Sequence, residues 1–496
     1  MKSGAKWASL CFAATATAAH PVVQAVEKMP ATMEEMWKII QQQQKEIEVL
    51  KAKAAKSEAL QEEVKDLKQS AQREAAKTPQ QNAQANETPQ PTAKAKTAKT
   101  EVERKTDILA SEVEKLKTKL FIPEKREYKS QYGLGPAASE VYRVSRGLSI
   151  GGYGEMFYTN YSGDAKDRID LARGVLYAGY KFNDWIVLNN EFEWEHASSG
   201  EGDEEKGEVS VEFSTLDFFL DKRANIRTGL MLMPMGLINE IHEPVTFHGN
   251  HRPAVEQIII PTTWSELGGG LFGEILPGLQ YRMYAVNGLN AEGFASDGIA
   301  EGRQEGSLAL AEDFAFTGRV DYVPSAAPGL LVGASAYLGD AGQNQLFLGK
   351  KIAAFTQLYE GHVQWRYRGL EFRALGAYGH IGNADVLSAA KGETIGSSNY
   401  GWYTEAAYDV MPLLWKDSSQ YLAPFVRYEH YNTLASVPEG FDTSLQPRGF
   451  YDQWIYQAGL TYKPIPNIAI KADYRNIHSA AGQPPDEFNL GVGFIY

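Results

Sequence analysis

Beyond Leu148 the sequence alternates apolar and polar residues with a period of two, as β-strands do when their two faces meet different surroundings. In the last strand, Phe488, Leu490 and Val492 share one face, while the other face carries mostly polar or small residues. As the edge of a soluble sheet, such a long apolar strand would invite aggregation. A strand of about ten residues, tilted by about 45°, instead matches the apolar band of an outer membrane. We therefore predict an all-β fold, a transmembrane antiparallel β-barrel, over residues 145–496.

The same pattern recurs often enough to predict about sixteen strands, an even number as in bacterial single-chain barrels. The predicted strands span residues 148–160, 168–182, 185–197, 208–221, 225–236, 264–275, 279–288, 312–323, 329–339, 352–367, 370–381, 398–410, 420–431, 453–463, 467–478 and 487–496. Tight turns alternate with the long loops 198–207, 289–311, 382–397 and 432–452. Because bacterial barrels keep short turns in the periplasm and long loops outside, this alternation predicts the orientation in the membrane.

Charged residues keep to one face of these strands. In the third strand, Glu191 and Glu193 alternate with Phe192 and Trp194. A cationic side chain facing lipid at the membrane midplane costs about 2–4 kcal/mol, so the charged face is predicted to line the lumen. Sixteen strands enclose more space than their own side chains fill. The sequence therefore predicts a water-filled channel lined by charges of both signs.

The residues before the barrel follow a helical period instead. Apolar residues at heptad spacing predict a coiled coil over residues 26–77. A stretch rich in Pro, Gln, Ala, Thr and Lys predicts a disordered linker over residues 78–100. A second helical segment is predicted over residues 101–121, ending before Pro123. Since a lone amphipathic helix has no core to pack on here, we expect this arm to associate between subunits in the periplasm.

The first residues have the three parts of a secretory signal peptide, predicted over residues 1–25. Lys2 and Lys6 supply the charged part, an apolar run follows, and small residues around Ala16 offer a cleavage site. The only cysteine, Cys11, lies inside this segment. The mature protein is therefore predicted to have no disulfide and no thiol chemistry.

Charge and hydropathy exclude several classes of protein. The chain has 49 Lys and Arg against 62 Asp and Glu, a formal net charge of -13 that argues against nucleic acid as a partner. No apolar run reaches about 18 residues, so an inner-membrane transporter built of helices is excluded, whereas a barrel is not.

Two glycine motifs that resemble catalytic or cofactor sites lack the structure that such sites need. Residues 147–151 match a nucleophile elbow, but a strand begins there where that chemistry requires a strand-to-helix turn. Residues 268–273 match a dinucleotide fingerprint without the βαβ unit around it. We therefore predict no enzyme activity and no cofactor.

The connection after the fifth predicted strand, residues 236–263, is long and more apolar than a loop in open water needs to be. We expect it to fold into the barrel and narrow it. The candidate residues of this constriction and of the charged lumen are Glu240, His242, Glu243, His248, His251, Arg252, Arg282, Arg319, Arg366, Arg373, Arg427 and Arg475. The three histidines are irregularly spaced, which favours pore lining over metal binding.

Residues 148–496 resemble the phosphate-selective porin O and P family, most specifically at 233–244 (MPMGLINEIHEP) and 252–274 (RPAVEQIIIPTTWSELGGGLFGE). The coiled coil is similar to that of dicarboxylate-type trimeric porins. The final strand resembles those that outer-membrane barrels present to their assembly machinery. These resemblances imply a homotrimer in the outer membrane of a Gram-negative bacterium, with lipid around it and one aqueous pore per subunit.

The inner connection departs from the family's cluster of lysines, because it carries Arg252 but no lysine, together with Glu240, Glu243 and Glu256. Mixed signs produce a transverse field more readily than a filter for a single anion. The leading hypothesis is therefore a porin for passive diffusion of small anionic or zwitterionic solutes. The alternative is a structural tether that joins the membrane to the periplasm through its coiled coil. A barrel enzyme would need a convergent Ser or Asp/His set, and the sequence shows none.

Overall fold

The computed structural model describes residues 128–197, 207–441 and 451–496. The chain divides into two compact units, Met1–Val113 and Glu114–Tyr496, and every described residue belongs to the second. The predicted signal peptide, coiled coil, linker and second helical segment all lie outside the described residues. They remain predictions.

The described residues form eighteen strands in chain order. They are β1 Gly147–Tyr161, β2 Arg168–Lys181, β3 Ile186–Glu195, β4 Val209–Phe218, β5 Asn225–Leu232, β6 Ser265–Leu276, β7 Leu279–Asn287, β8 Phe314–Tyr322, β9 Leu330–Asp340, β10 Leu346–Phe347, β11 Lys350–Lys351, β12 Phe355–Tyr367, β13 Leu370–Ile381, β14 Ser398–Tyr408, β15 Tyr421–Ser436, β16 Asp452–Ile465, β17 Ile468–Ser479 and β18 Glu487–Ile495. The two-residue strands β10 and β11 pair only with each other.

The other sixteen strands form one closed antiparallel barrel, in which β1 pairs with both β2 and β18. The closing register sets Tyr153 opposite Ile495 and Met156 opposite Val492. Closure leaves no unpaired sheet edge, which is how barrels avoid edge-to-edge association. The prediction of a barrel with about sixteen strands is confirmed.

Alternation along each strand separates an apolar outer face from a polar interior. Phe316 and Met283 on the outer face are 66% and 61% exposed, whereas Thr317 and Arg282, their neighbours in sequence, are buried inside. This is the pattern of strands that face lipid on one side. No helix within the described ranges is long and apolar enough to cross a bilayer.

Three stretches that were predicted to be loops contain regular structure. β15 continues to Ser436 because its pairing with β14 extends to Ser398 opposite Ser436. An α-helix, Ala384–Lys391, lies within the predicted loop 382–397 and ends at Gly392, whose positive φ of 66° closes its last turn. Short helical turns, Ala291–Gly293 and Ala300–Gly302, lie within 289–311. Loop predictions fail here because short local turns leave little periodicity to detect.

Two segments outside the sheet lie within the barrel. The inner segment, residues 233–264, connects β5 to β6 and is buried along most of its length. The amino-terminal segment, residues 131–143, precedes β1 and includes one helical turn, Ala138–Tyr142. Together they cover the polar face of the barrel wall.

Candidate functional site

The inner segment contacts the barrel wall on several sides. Four wall cations donate hydrogen bonds to its backbone carbonyl groups: Arg319 to Gly236, Arg373 to Thr246 at 2.5 Å, Arg427 to His248 at 2.7 Å and Lys471 to Gly249 at 2.8 Å. These cations lie on β8, β13, β15 and β17. The segment therefore crosses the lumen between these strands, and its role as a constriction stays a prediction.

Apolar anchors and one buried carboxyl group hold the two ends of this segment. Trp264 packs on Tyr337 of the wall with ring centroids 4.7 Å apart. Glu256 accepts hydrogen bonds from the backbone N–H groups of Leu237 and Ile238, both at 2.7 Å, and from the hydroxyl of Tyr403 at 2.6 Å. Burial raises the pKa of Glu256, and these three donors oppose the rise. Glu256 thereby joins both ends of the segment to β14.

The amino-terminal segment packs against the inner segment through a second carboxyl group. Glu243 accepts hydrogen bonds from the backbone N–H groups of Ala137, at 2.8 Å, and Ala138, at 3.1 Å. Gly135 passes so close that a Cβ atom there would lie 2.4 Å from Glu243 Oε1, and one at Gly133 would lie 2.3 Å from a Glu240 oxygen. Sequence analysis missed this segment, because only its run of small residues sets it apart.

Glu240 belongs to a compact charge cluster with β7 and β8. Arg282 lies 3.2 Å from Glu240 and 2.5 Å from Asp321, while Arg319 lies 2.8 Å from Asp321. His362 of β12 lies 2.9 Å from the same aspartate. Burial raises the pKa of Glu240, and the two arginines oppose that rise. The structure therefore brings together three predicted site residues, Glu240, Arg282 and Arg319.

A second cluster joins β13, β14 and β15. Arg427 donates to Glu405 at 2.6 Å, and Arg373 lies 3.8 Å from the same carboxylate. Glu429 lies 3.7 Å from Arg427 and accepts a long hydrogen bond from the backbone N–H of Val255 at 3.3 Å. Arg373 and Arg427 face the barrel interior, and their acidic partners come from neighbouring strands.

The two remaining predicted arginines form ion pairs outside the two clusters. Arg475 pairs with Glu487 at 2.6 Å between β17 and β18. Arg366 lies near the end of β12, 3.3 Å from Glu371, and about half of its side chain is exposed. Arg366 is thus the most accessible of the predicted cations.

The three histidines of the inner segment have separate partners. His242 contacts Glu191 at 3.2 Å, His248 contacts Thr461 at 3.0 Å, and His251 contacts Asn489 at 3.3 Å. Burial lowers the pKa of His248 and of His251, which favours their neutral forms. Among the residues that the structure describes, no set of three or more His, Cys, Asp or Glu side chains is arranged to hold a metal ion.

Most of the charged lumen is covered by protein. Glu191 and Glu429 are fully buried, and the exposed fraction of Arg427 is only 3%. The inner and amino-terminal segments pack on the polar face where the sequence predicted open water. Within the described residues, much of the polar face of the wall is therefore occupied by contacts with the protein's own chain.

No protein-family model matches the sequence. A protein from Aquifex aeolicus strain VF5, described only as an uncharacterized protein, is 41% identical over 374 residues, which make up 73% of this chain and 82% of the relative. The chain belongs to the family of that Aquifex protein. Family membership leaves the activity to be argued from the site, because the relative's description assigns none.

Several solved structures of outer-membrane proteins also align with the chain, among them the following three. Salmonella typhi OmpF in complex with daunomycin aligns at 12% identity and a TM-score of 0.48, covering 71% of this chain and 98% of OmpF. The outer membrane channel DcaP of Acinetobacter baumannii aligns at 11% identity and a TM-score of 0.46, covering 70% of this chain and 97% of DcaP. An anion-selective porin from Comamonas acidovorans aligns at 11% identity and a TM-score of 0.43, covering 70% of this chain and 99% of that porin. The fold described above rests on the strand pairing of this chain itself.

Proposed function

We propose that this protein is a porin, a channel for passive diffusion of small anionic or zwitterionic solutes across the outer membrane of a Gram-negative bacterium. The observation that carries the proposal is the closed sixteen-stranded barrel, apolar outside and charged inside, with a connecting segment that crosses its lumen. The apolar face fits lipid, and the charged interior provides polar contacts for a solute.

The buried charges themselves favour transport over simple anchoring. Burying an ion pair costs desolvation free energy that an apolar interior of similar volume would not. An anchor gains nothing from Arg282, Arg319 or Arg427 in its interior. A channel uses such groups, because fixed charges lining a passage select the solutes that enter.

The proposal extends to assembly and orientation. We infer a homotrimer with its amino-terminal arm in the periplasm, and with β18 as the strand presented to the barrel assembly machinery. The sequence resemblance to trimeric porins supports this arrangement. The proposal also places short connections, such as residues 277–278 and 368–369, on the periplasmic side.

Planar-bilayer recording tests the channel directly. Purified protein, checked for folding by circular dichroism, is added to a bilayer under a potassium chloride gradient. We expect stable conductance that appears in three equal steps, with phosphate or a dicarboxylate reducing the current as competitors. Folded protein that never conducts would contradict the proposal and leave the tether as the better account.

The reversal potential tests the anionic preference. We expect a shift toward cation preference when Arg252 and Arg366 are changed to glutamine, because each removes a positive charge from the passage. The exposed Arg146, outside the barrel strands, supplies the matched control Arg146→Gln. An unchanged reversal potential in the double variant would count against the two arginines as selectivity residues.

A further inference from the structure

One sector of the barrel interior collects buried polar atoms that have no hydrogen-bond partner. The sector consists of Tyr153 on β1, Glu191 and Glu193 on β3, Glu212 on β4 and Arg252 on the inner segment. Tyr153 Oη, Glu191 Oε2 and two nitrogens of Arg252 are buried without such a partner among the described residues, and the buried carboxyl groups of Glu193 and Glu212 hydrogen-bond to each other. Because buried polar groups in proteins are nearly always hydrogen-bonded, this concentration requires an explanation.

Arg173 of β2 supplies a cation on the wall, with its Nε 3.0 Å from Glu155 and 3.7 Å from Glu193 Oε1, and the inner segment adds a second cation, Arg252. The exposed fraction of Arg252 is only 5%, and the one hydrogen bond of its side chain runs from Nη1 to Thr262 Oγ1 at 2.5 Å. Within the described ranges it forms no ion pair, while Nε and Nη2 remain unpartnered. Both Glu193 and Tyr153 lie within its electrostatic range. A buried guanidinium without a paired anion is costly, so a carboxylate at this position would be favourable.

Glu212 reaches the interior through a break in the strand pairing. Glu191 pairs with Phe213 and Phe192 pairs with Val211, so Glu212 is the extra residue of a β-bulge. Simple alternation from Phe213 would direct Glu212 toward lipid. The bulge instead turns its side chain inward, where its carboxyl group hydrogen-bonds with that of Glu193. Three carboxyl groups and Arg173 therefore lie on the wall side of the sector, whereas Arg252 comes from the inner segment.

We infer that this sector is a binding site for small zwitterions that carry an ammonium and a carboxylate group, as amino acids do. The ammonium group donates to Glu191 Oε2 and to the carboxyl group of Glu212. The carboxylate accepts from Arg252 and Tyr153. Carboxyl groups on the wall and a guanidinium group on the inner segment match the two charges of such a ligand, whereas a simple anion would also meet the carboxyl groups.

This inference rests on the proposed channel, which brings solutes into the lumen, and it narrows the class of solute. The site is shared between the wall and the inner segment, so a bound zwitterion bridges two elements. Ligand binding at both ends uses charge-assisted hydrogen bonds, which are stronger than neutral ones. A ligand with only one of the two charges is therefore expected to bind more weakly.

Single-channel recording with three probes tests the site. Glycine carries both charges, acetate carries only the carboxylate, and methylammonium carries only the ammonium. We expect glycine to interrupt the current at concentrations about tenfold lower than either singly charged probe, as the loss of one charged hydrogen-bond partner implies. The inference would be overturned if glycine interrupted the current only at the same concentration as the more effective of the other two probes.

Two variants separate the ends of the site. Arg252→Gln is expected to weaken block by glycine about tenfold while leaving block by methylammonium unchanged. Glu212→Gln is expected to weaken block of the current by glycine and by methylammonium but not block by acetate. Arg146→Gln and Glu301→Gln, at exposed positions away from the sector, are the matched controls. The same response in Arg252→Gln as in Arg146→Gln would contradict the assignment.

A folded protein that does not conduct would refute the channel but not by itself the site. Calorimetric titration of the purified protein with glycine then decides the matter. Heat of binding that disappears in Arg252→Gln and persists in Arg146→Gln would support the site without a channel. Absence of binding to the unaltered, folded protein would overturn it.

Discussion

Glu243 shows how one buried carboxyl group can hold two separate parts of the chain together. It lies on the inner segment, faces Tyr177 of β2 and Glu191 of β3, and binds the backbone N–H groups of Ala137 and Ala138. Burial raises its pKa to about 8, although the two N–H groups oppose the rise. The contact between the two interior segments therefore depends on a group that titrates near neutral pH.

The sign of the resulting pH dependence follows from linkage. Glu243 has a pKa of about 8 when the amino-terminal segment is docked, above the ordinary 4.5 expected when the carboxyl group is in water. The docked state therefore binds the proton more tightly, and docking weakens as the pH rises from 4.5 toward 8. Hydrogen exchange of residues 131–143, corrected for intrinsic rates, is expected to accelerate across this range. In Glu243→Gln this pH dependence should disappear, and its persistence would contradict the assignment.

Gly135 provides a steric test of the same contact. An alanine Cβ at this position would lie 2.4 Å from Glu243 Oε1 and 2.7 Å from its carboxyl carbon. We expect Gly135→Ala to displace the amino-terminal segment and to speed exchange of the Ala137 and Ala138 amides about tenfold or more. Gly174→Ala is the matched control, because nothing lies within 4 Å of a Cβ at Gly174. Equal exchange rates in the two variants would show that the close approach is unimportant.

At the scale of elements, the strands were predictable because lipid on one face imposes a period of two on the sequence. β13 was predicted at its observed bounds, Leu370–Ile381, and the inward parity of Arg373 followed from the same pattern. The partners of such residues were not predictable. Arg282 meets Glu240 through the path of the inner segment, and contacts between elements far apart in sequence leave no trace in local periodicity.

Glu212 shows the limit of that reasoning within a single strand. Strict alternation assigns it to the lipid face, and only the observed pairing shows the bulge that turns it inward. Bulges add one residue to one strand without changing the local composition, so a hydrophobic pattern does not reveal them. The amino-terminal segment escaped prediction for a related reason, because its small residues pack by close approach instead of by periodic apolar contacts.

The bulge leads to a prediction about deletions. Removing Glu212 takes out the extra residue and restores regular pairing between β3 and β4, so we expect a folded barrel. Removing Ala374 from β13, whose pairing with both neighbours is regular, shifts the residues beyond it onto the wrong face, so we expect loss of folding. Circular dichroism and resistance to protease in detergent measure the outcome. If the two deletion variants had the same circular dichroism and the same protease resistance, Glu212 would not be an extra residue that the barrel can lose.

At the scale of the whole molecule, the barrel interior is filled by the protein's own chain. The inner segment joins wall strands on several sides through Arg319, Arg373, Arg427 and Lys471, and the amino-terminal segment packs on it through Glu243. These contacts use backbone carbonyl groups and paired charges, which water or a polar solute can replace. In the proposed channel, conduction would therefore depend on how readily water and solute replace those contacts.

The barrel is closed by its own strands and covered inside by residues after 128, so channel activity is expected not to need the arm before it. We predict that a variant lacking residues 26–120 folds and conducts with an unchanged current per pore. A tether would lose its function in the same variant, which makes this deletion the sharpest separation of the two hypotheses.

The number of conductance steps in this variant reports on how the subunits associate. Three equal steps would place subunit association in the barrel wall, and single steps would assign it to the coiled coil, while loss of current from a correctly folded variant would contradict independent channel activity.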